Sequence, residues 1–281
     1  MLKRSEGHFQ SIDKLKIFFQ FWECDNPLGT LIITHGLGEH SDCYSEFANR
    51  ASAKNWNVFS WDLRGHGRSD GQRGFVDSFE DYEMDLSTLV SKIKESKNSP
   101  EPLILFGHSM GGLITLRHIL SKDPSIYRAV CLSSPLLGIA VDVPEIKKKF
   151  AKTIGRLMPK LTLFNEIDYR NLVRDPEHLK TYDKDPLRQD RISPNLFLGI
   201  LKNSELTLEQ SARIELPLLL QISGKDKIVD ASASETFYSL VKSKVKSFYK
   251  YDQSYHEIFN DLDKATVYSD FFQFLETQKG K

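Results

Sequence analysis

The sequence predicts a doubly wound α/β protein in which helices flank a mostly parallel central sheet. Short apolar runs alternate with longer helical patterns along most of the 281 residues. Several of these runs are apolar at nearly every position, which is typical of strands buried on both faces of a parallel sheet. Strands and helices that alternate in this way indicate one wound sheet with its helices outside.

The individual elements follow from the apolar runs. TLIIT, at 30–34, and LILFG, at 103–107, are nearly continuous apolar strands, and FEDYEMDLSTLVSKIKES, at 79–96, has the spacing of a helix. The full set of predicted strands is 15–22, 30–34, 57–62, 103–107, 128–134, 216–224 and 246–251. The predicted helices cover about 44–53, 79–96, 232–242 and 263–276, and a further helix begins near 111.

The segment 135–204 interrupts this alternation. It contains no convincing strand, is rich in Lys, Arg and Pro, and is best interpreted as helices and loops. A helical insertion between two strands of an α/β sheet lies over the carboxyl edge, where such folds bind their ligands. We therefore expect a core formed by 1–134 and 205–281, and a helical cap, or lid, formed by 135–204.

The composition limits the classes of function. Lys+Arg 38 and Asp+Glu 38 give zero net charge, so no global field attracts nucleic acid or an anionic membrane. The odd set of Cys24, Cys43 and Cys131 argues against a disulfide framework and a cysteine metal site. The N-terminus lacks the apolar stretch of a signal peptide, and no segment approaches the length of a membrane span. We expect a cytoplasmic soluble protein that binds no nucleic acid.

Ser109 is the predicted nucleophile. GHSMG, at 107–111, fits the pattern G-x-S-x-G in the context that the pattern requires, with a strand before it and a helix after it. A serine on such a tight turn takes strained backbone angles, and the flanking glycines let neighbouring elements approach closely. The hydroxyl then projects above the sheet beside free N–H groups at the helix start. This context favours a nucleophile over a glycine-rich structural bend.

His256 is the predicted base. A serine hydroxyl needs a base to take its proton, and the base needs an acid to orient it. Three histidines follow Ser109 in the sequence. His118 lies in the helix directly after the serine, too close to return to it, and His178 lies in the cap within a charged segment. His256 follows the last predicted strand, where a loop can return over the sheet edge.

Asp226 is the predicted acid. In this arrangement the acid lies between the serine and the histidine along the chain. LPLLLQIS leads directly into Gly224 and Asp226, so that Asp226 stands at the end of a strand. Asp230 is the alternative, but capping the helix that begins near Ala231 would explain that residue equally well. We favour Asp226.

The developing oxyanion needs N–H donors. Met110, beside the nucleophile, supplies one, and Leu37 in HGLG, at 35–38, supplies the second. We name residues 35–38 the HGLG loop, and we expect His35 to fix this loop by hydrogen bonds rather than act as a second base. The residues predicted to bind substrate around these donors are Gly36, Glu39 and His108.

Several stretches together resemble a known family. They are HGLGEH (35–40), WDLRGHGRSDG (61–71), GHSMGG (107–112), LSSP (132–135), SGKDKIVD (223–230) and YHEIF (255–259). In order and spacing they are similar to the α/β-hydrolase superfamily, specifically the monoacylglycerol lipase and lysophospholipase group, which is also classed with the S33 serine aminopeptidases. The resemblance implies an α/β-hydrolase fold with a helical cap inserted after the sixth strand and covering an acyl-chain tunnel. It assigns triad roles to Ser109, Asp226 and His256, and oxyanion roles to Leu37 and Met110.

Cys43 departs from the pattern of this group. Similar monoacylglycerol lipases tend to carry arginine at that position, and the resemblance gives this arginine the task of bracing the loop with the glutamate that is Glu39 here. Cys43 cannot form that ion pair. The departure affects the expected headgroup more than the ester chemistry.

The segment VPEIKKKFAKTIGRLMPKL, at 143–161, predicts a basic amphipathic helix in the cap. Two interpretations are open: the apolar stripe packs against the body, which we favour, or the helix rests on an anionic lipid surface. The stripe consists of Val143, Ile146, Phe150, Ile154, Leu157 and Met158. The charges are Lys147, Lys148, Lys149, Lys152, Arg156 and Lys160, six positive, less Glu145, which leaves +5.

These observations predict a serine carboxylic ester hydrolase that works through an acyl-enzyme. The expected substrates are lipids with one acyl chain, either monoacylglycerols or lysophospholipids, and no cofactor or metal is expected. A peptidase, amidase or thioesterase with the same triad is the main alternative, because attack on those substrates needs the same groups. A catalytically silent binding protein is the other alternative. The expected partner is a small acyl ester or lipid. If the basic helix at 143–161 rests on lipid, the cap also makes peripheral contact with a membrane.

Overall fold

The computed structural model describes residues 3–96, 100–140 and 144–279. The strands are β1 (Lys3–Gln10), β2 (Lys16–Glu23), β3 (Thr30–Thr34), β4 (Asn57–Trp61), β5 (Leu103–His108), β6 (Tyr127–Ser133), β7 (Leu163–Phe164), β8 (Arg191–Ile192), β9 (Leu218–Ser223) and β10 (Lys246–Tyr251). The helices are α1 (Ser45–Ser52), α2 (Glu80–Glu95), α3 (Met110–Ser121), α4 (Glu145–Leu157), α5 (Pro176–Tyr182), α6 (Pro194–Gln210), α7 (Ala231–Leu240) and α8 (Lys264–Thr277).

Eight strands form one sheet in the order β1-β2-β4-β3-β5-β6-β9-β10. All neighbours from β4 to β10 pair in parallel, whereas β1 and β2 pair with their neighbours antiparallel. Parallel neighbours need a crossover connection, and helices supply most of these crossovers. The predicted mostly parallel sheet flanked by helices is confirmed.

The edge strand β1 is not predicted by the apolar pattern. Its sequence, KRSEGHFQ, has no apolar alternation, and Phe9 is its one buried residue. Backbone pairing with β2, from Lys3 opposite Glu23 to Gln10 opposite Lys16, holds the strand in place. Polar residues can form such a strand because an edge strand has little surface to bury.

The central strands bury side chains on both faces of the sheet. In β3, Ile32 faces a core shared with α2, α3 and α7, whereas Leu31 and Ile33 face a core shared with α1 and α8. β5 divides in the same way, with Leu105 on the first face and Phe106 on the second. The helices therefore form a layer on each side of the sheet, which leaves the strand ends free to carry the site.

The cap follows β6, the sixth strand, and contains α4, α5, α6, β7 and β8. β7 and β8 form a short antiparallel pair, so the expectation of no strand in 135–204 is wrong. Each strand is two residues long, too short to give a recognisable pattern. α6 continues to Gln210, past the boundary expected at 204.

The apolar stripe of α4 is exposed, so the favoured expectation that it packs against the body is wrong. Ile146, Phe150, Leu157 and Met158 are between 56% and 78% exposed, whereas Ile154 is half-buried. α4 instead contacts α6 through the buried Gly155, whose missing Cβ leaves room for the α6 side chains. Val143 and the side chains of Lys147 and Lys148 lie outside the described residues. Within the described ranges, no helix is long and apolar enough to span a membrane.

Candidate active site

Four loops at the carboxyl edge of the sheet carry the predicted catalytic groups. Leu37 follows β3, Ser109 follows β5, Asp226 follows β9 and His256 follows β10. The carboxyl ends of parallel strands meet at one edge, where α/β folds bind their ligands. Leu37, Ser109 and His256 line one chamber at this edge, so the structure brings these residues together.

Ser109 occupies a strained turn between β5 and α3. Its φ is 52° and its ψ is −121°, in a region that side chains other than glycine rarely adopt. A Cβ at Gly111 would overlap the carbonyl oxygens of Thr34 and His35. A Cβ at Gly107 would lie 2.6 Å from the carbonyl oxygen of Gly111. The glycines therefore allow the close packing that holds the serine in this pose.

Asp226 and His256 form a buried pair. Asp226 Oδ2 lies 2.7 Å from His256 Nδ1, and Asp226 Oδ1 accepts hydrogen bonds from Ile228 N and Val229 N, each at 2.9 Å. These bonds fix the carboxylate, and the carboxylate orients the ring. Among the described residues, Ser109 Oγ makes no hydrogen bond to His256, and catalytic hydrogen bonds are often long before substrate binds.

The Asp226 carboxylate makes His256 a stronger base. Burial by itself lowers the pKa of His256, but the charge and the hydrogen bond of Asp226 outweigh burial and raise this pKa above its ordinary value. Burial acts to raise the pKa of Asp226, but the charge of His256 and the hydrogen bonds from His256, Val229 and Ile228 together outweigh burial, so the net pKa is lowered. The carboxylate therefore remains charged and the ring is ready to accept a proton.

His108 packs beside the predicted base. Its ring centroid lies 4.8 Å from that of His256, and its Nδ1 lies 3.1 Å from the Ser133 carbonyl oxygen. Burial, and then the charge of His256, lower the pKa of His108 to about 3. The His108 ring is therefore neutral at physiological pH, and it lines the chamber as an uncharged surface.

Two backbone N–H groups are free at the predicted oxyanion positions. In the part of the chain that the structure describes, the N–H groups of Leu37 and Met110 have no hydrogen-bond partner. Met110 is also the first residue of α3, where the helix dipole favours negative charge. His35 fixes the HGLG loop, because its Nε2 accepts from Leu63 N at 2.9 Å and its Nδ1 lies 2.7 Å from the Gly36 carbonyl oxygen.

The alternative candidates have other contacts. His118 Nε2 lies 2.6 Å from the Tyr127 hydroxyl, in the packing between α3 and the sheet. His178 is part of α5 in the cap. Asp230 accepts a hydrogen bond from Ser232 N at 2.8 Å and caps α7. None of these three lines the chamber beside Ser109.

A cap arginine that the sequence did not reveal lies beside Glu39. Arg188 Nη2 lies 3.8 Å from Glu39 Oε1, and Arg188 Nη1 lies 3.5 Å from Glu257 Oε1. Glu39 Oε2 accepts a hydrogen bond from Gly36 N at 2.7 Å. Cys43 cannot pair with Glu39, and Arg188 provides the cation instead. Glu257 could have been suspected because it follows the predicted base, but no periodic signal in the cap marks Arg188.

The two carboxyl groups respond differently to this arginine. Burial, and then the charge of Glu257, raise the pKa of Glu39. Burial also acts to raise the pKa of Glu257, but the charges of Arg188 and His108 and the hydrogen bonds from Tyr182 and Asn260 together outweigh burial, so the net pKa is lowered. Glu257 is therefore the more strongly ionised partner of Arg188, and Glu39 lies next to both.

One group in the described ranges has the composition of a metal site. The ligand atoms of His40, Cys43 and Asp185 lie within 4.8 Å of one another. His40 Nε2 and Asp185 Oδ2 already satisfy each other at 2.7 Å, and burial raises the pKa of the Cys43 thiol. These residues line a cavity that Ser109 does not share, so they have no part in the chemistry at the serine.

The cap closes the chamber over the serine. The chamber has a volume of about 30 Å³, which leaves room for about one water molecule. Its polar lining includes Glu39, Arg188 and Gln189. The apolar lining comes from both core and cap and consists of Leu37, Ile167, Leu172 and Ile228.

Known proteins match the chain over nearly its whole length. Residues 25–263 match the profile of the family described as "Serine aminopeptidase, S33". The chain is 29% identical over 274 residues to a monoacylglycerol lipase of Mycolicibacterium smegmatis, which covers 97% of each chain. It is 26% identical over 248 residues to phospholipase YtpA of Bacillus subtilis, covering 88% of this chain and 95% of that one. The crystal structure of Paleococcus ferrophilus monoacylglycerol lipase superposes with a TM-score of 0.83 at 29% identity, covering 98% and 99% of the two chains.

Proposed function

Because the chain belongs to the S33 serine aminopeptidase family, in the monoacylglycerol lipase group of the α/β-hydrolases, and is a serine ester hydrolase, we propose that Ser109, His256 and Asp226 are its triad. The observation that carries this proposal is the geometry at the sheet edge. A serine in a strained turn shares a chamber with a histidine whose other nitrogen lies 2.7 Å from a buried carboxylate.

The reaction follows from these groups. His256 accepts the proton of Ser109 Oγ as that oxygen attacks the ester carbonyl, and the N–H groups of Leu37 and Met110 bind the oxyanion. His256 then gives its proton to the leaving alcohol, and the C–O bond to the alcohol breaks. Water, deprotonated by the same histidine, hydrolyses the acyl-enzyme and releases the acid.

We propose lipids with a single acyl chain, monoacylglycerols or lysophospholipids, as the substrates. The similarity to two monoacylglycerol lipases and a phospholipase supports esters of this type. The chamber is lined by both polar and apolar side chains, as a headgroup and an acyl chain would require. At about 30 Å³ it cannot hold an acyl chain, so the cap must shift to admit the lipid.

A labelling experiment and a substrate panel test this function. A fluorophosphonate should label Ser109, located by peptide mass spectrometry, and Ser109→Ala should lower kcat by about 10⁴-fold or more while leaving the Tm unchanged. The panel compares a monoacylglycerol, a lysophosphatidylcholine, an acyl thioester and an aminoacyl amide. The highest kcat/KM should fall on one of the two lipids. A preference for the amide or the thioester would contradict the substrate proposal and support a peptidase or thioesterase with the same triad.

We also propose that the cap contacts an anionic membrane surface from the cytoplasmic side. The exposed stripe of α4 continues into the exposed Leu163 and Phe164 of β7. The apolar groove between them has a volume of about 420 Å³. Exposed cations surround the stripe and are suited to lipid phosphates: Lys149, Lys152, Arg156 and Lys160.

Vesicle binding tests the membrane proposal. In co-sedimentation, the protein should bind vesicles with 30% anionic lipid several-fold more than neutral vesicles, and added salt should reduce the difference because it screens exposed charges. Equal binding to both vesicle types would contradict electrostatic docking. Absence of binding to either would contradict membrane contact altogether.

A further inference from the structure

Two consecutive cap residues act on the HGLG loop, Gln189 directly at Gly38 and Arg188 through Glu39. Gln189 N donates to the Gly38 carbonyl oxygen at 3.1 Å, and a Cβ at Gly38 would lie 2.5 Å from the Gln189 carbonyl oxygen. Arg188 lies 3.8 Å from Glu39, and Glu39 in turn accepts from Gly36 N at 2.7 Å. The loop that presents the Leu37 N–H is therefore fixed partly by the cap and not by the core alone.

Arg188 is buried in the cleft between cap and core. Its side chain is 6% exposed, and its guanidinium stacks 3.9 Å from the centre of the Tyr182 ring. The Tyr182 hydroxyl donates to Glu257 at 2.6 Å. A buried cation needs a compensating charge, and Glu257 and Glu39 provide it. This arrangement links the loop after β3 to the loop that carries the base.

Among the described residues, the core offers no second cation at Glu39. In the described ranges, Arg188 is the one basic side chain within 4.0 Å of the Glu39 carboxylate. Cys43 lies in the same neighbourhood but is a neutral thiol, because burial raises its pKa. With the cap displaced, Glu39 and Glu257 would face each other as two carboxyl groups without a cation. Like charges at short range are unfavourable. The Tyr44 hydroxyl would still donate to Glu39 Oε2 at 2.9 Å, but the loop would lose the restraint that the Arg188 charge supplies.

We propose that Arg188 is a positioning residue that assembles the oxyanion hole when the cap closes. The cap brings its guanidinium to Glu39, Glu39 holds the Gly36 N–H, and the Gly36–Leu37 peptide is thereby set with the Leu37 N–H directed at the oxyanion. The inference rests on the proposed roles of Ser109 and Leu37. Cap closure then completes the catalytic site as well as enclosing the substrate.

This role has a kinetic signature that distinguishes it from headgroup binding. An oxyanion donor acts mainly in the transition state, so its misplacement lowers kcat and leaves KM nearly unchanged. A contact with the lipid headgroup would instead change KM, and it would act on lipids but not on a short soluble ester. A short p-nitrophenyl ester is therefore the appropriate substrate for the test.

The variants are Arg188→Met, Glu39→Gln and the double variant, with Arg170→Met as the matched control. Arg170 is a cap arginine whose side chain is 80% exposed. Arg188→Met should lower kcat by about tenfold to a hundredfold, less than the loss of an oxyanion donor itself, with KM within about twofold. Affinity for a trifluoromethyl ketone, which forms a tetrahedral oxyanion on the serine, should fall in parallel. Arg170→Met should change neither value.

The double variant tests whether Arg188 acts through Glu39. Glu39→Gln keeps an oxygen acceptor for the Gly36 N–H but removes the charge that Arg188 holds, so it should also lower kcat. In the Glu39→Gln variant, adding Arg188→Met should lower kcat by less than about a further threefold, because the effects of coupled groups are non-additive. Additive losses, or an Arg188→Met loss confined to KM, would overturn the inference.

Two further results keep the test decisive. If Arg188→Met does not fold, as judged by near-UV circular dichroism, Glu39→Gln alone decides, and a wild-type kcat in that variant overturns the inference. Fluorophosphonate labelling of Ser109 distinguishes failure of the proposed function from failure of the inference about Arg188. An unlabelled wild-type Ser109 means that the proposed function fails, whereas labelled Ser109 with unchanged kcat in Arg188→Met means that only this inference fails.

Discussion

The core side and the cap side of the active site are held by different kinds of contact. On the core side, backbone carbonyl oxygens surround Gly111, and hydrogen bonds of 2.7 to 2.9 Å fix Asp226 and His256. On the cap side, β7 and β8 are two residues each, the α4 stripe is exposed, and Arg188 meets its carboxylates at 3.5 and 3.8 Å. The cap is thus anchored by a few buried contacts, such as Arg188 and the 2.6 Å hydrogen bond from Tyr182 to Glu257, while the α4 stripe remains exposed.

This difference corresponds to two tasks: the core holds the catalytic groups, and the cap controls the entry of substrate. A nucleophile and a base must be held within a fraction of an ångström, which requires contacts that cannot relax. A lid must move to admit a lipid, so its contacts must be weak enough to break. Substitutions on the core side should therefore affect kcat strongly. Substitutions in the cap should affect entry and surface binding more moderately, except at Arg188, which we propose acts on kcat by positioning the HGLG loop.

The largest expected loss of activity is for substitution of the predicted acid, Asp226, compared with its neighbour Asp230. Asp226→Asn leaves an amide at His256 Nδ1, which favours the wrong tautomer and removes the charge, so kcat/KM should fall by about 10³- to 10⁴-fold. Asp230→Asn is the matched control, because asparagine caps a helix as well as aspartate does, and its effect should stay below about threefold. Steady-state kinetics on a soluble ester measures both. Equal losses would mean that Asp226 has no special role.

The pH profile gives the second test of the core side. His256 must be neutral to accept a proton, so kcat/KM should fall as the pH drops through the pKa of His256, which Asp226 holds above its ordinary value. Removing the carboxylate leaves burial as the dominant influence, which lowers this pKa. The acid limb of Asp226→Asn should therefore move to lower pH. An unchanged or upward-shifted limb would contradict the pairing.

The sequence predicted the core side better than the cap side for physical reasons. Buried parallel strands leave continuous apolar runs, and the ends of those runs located Ser109, Asp226 and His256 at one edge. β1 was missed because an edge strand needs few apolar residues, and β7 and β8 were missed because two residues show no period. Amphipathicity predicted α4 but not the direction of its stripe, since packing through Gly155 decides that.

Arg188 illustrates what no local pattern can reveal. Its partners, Glu39 and Glu257, come from loops far apart along the chain, and a cap arginine resembles any surface charge in sequence. The unusual Cys43 indicated that a cation was missing at Glu39, but not where a replacement would come from. Only the folded cap supplies that answer.

Alanine substitution of two helical glycines tests how well the core and the cap each tolerate an added methyl group. Gly111→Ala in α3 places a methyl group against the carbonyl oxygens of Thr34 and His35, and should destabilise the protein by about 2 kcal/mol or more. Gly155→Ala in α4 meets the Asn195 amide oxygen at 2.7 Å, a side-chain end that can rotate away. It should be neutral or stabilise by up to about 1 kcal/mol, because alanine favours a helix. Urea unfolding measures both, and equal changes would remove the distinction between core and cap.

The smallest expected effect is at the exposed face of α4. Phe150→Glu puts a charge where we propose that an aromatic ring enters the lipid surface, and loss of that burial should reduce hydrolysis of vesicle-borne monoacylglycerol by about tenfold. Thr153→Glu adds the same charge to an exposed polar position of the same helix, and should cost much less. Both variants should hydrolyse a short soluble ester at the wild-type rate, because neither residue lines the Ser109 chamber. If Phe150→Glu loses activity equally on the soluble ester, the stripe supports the catalytic site itself and the separation of chemistry from access fails.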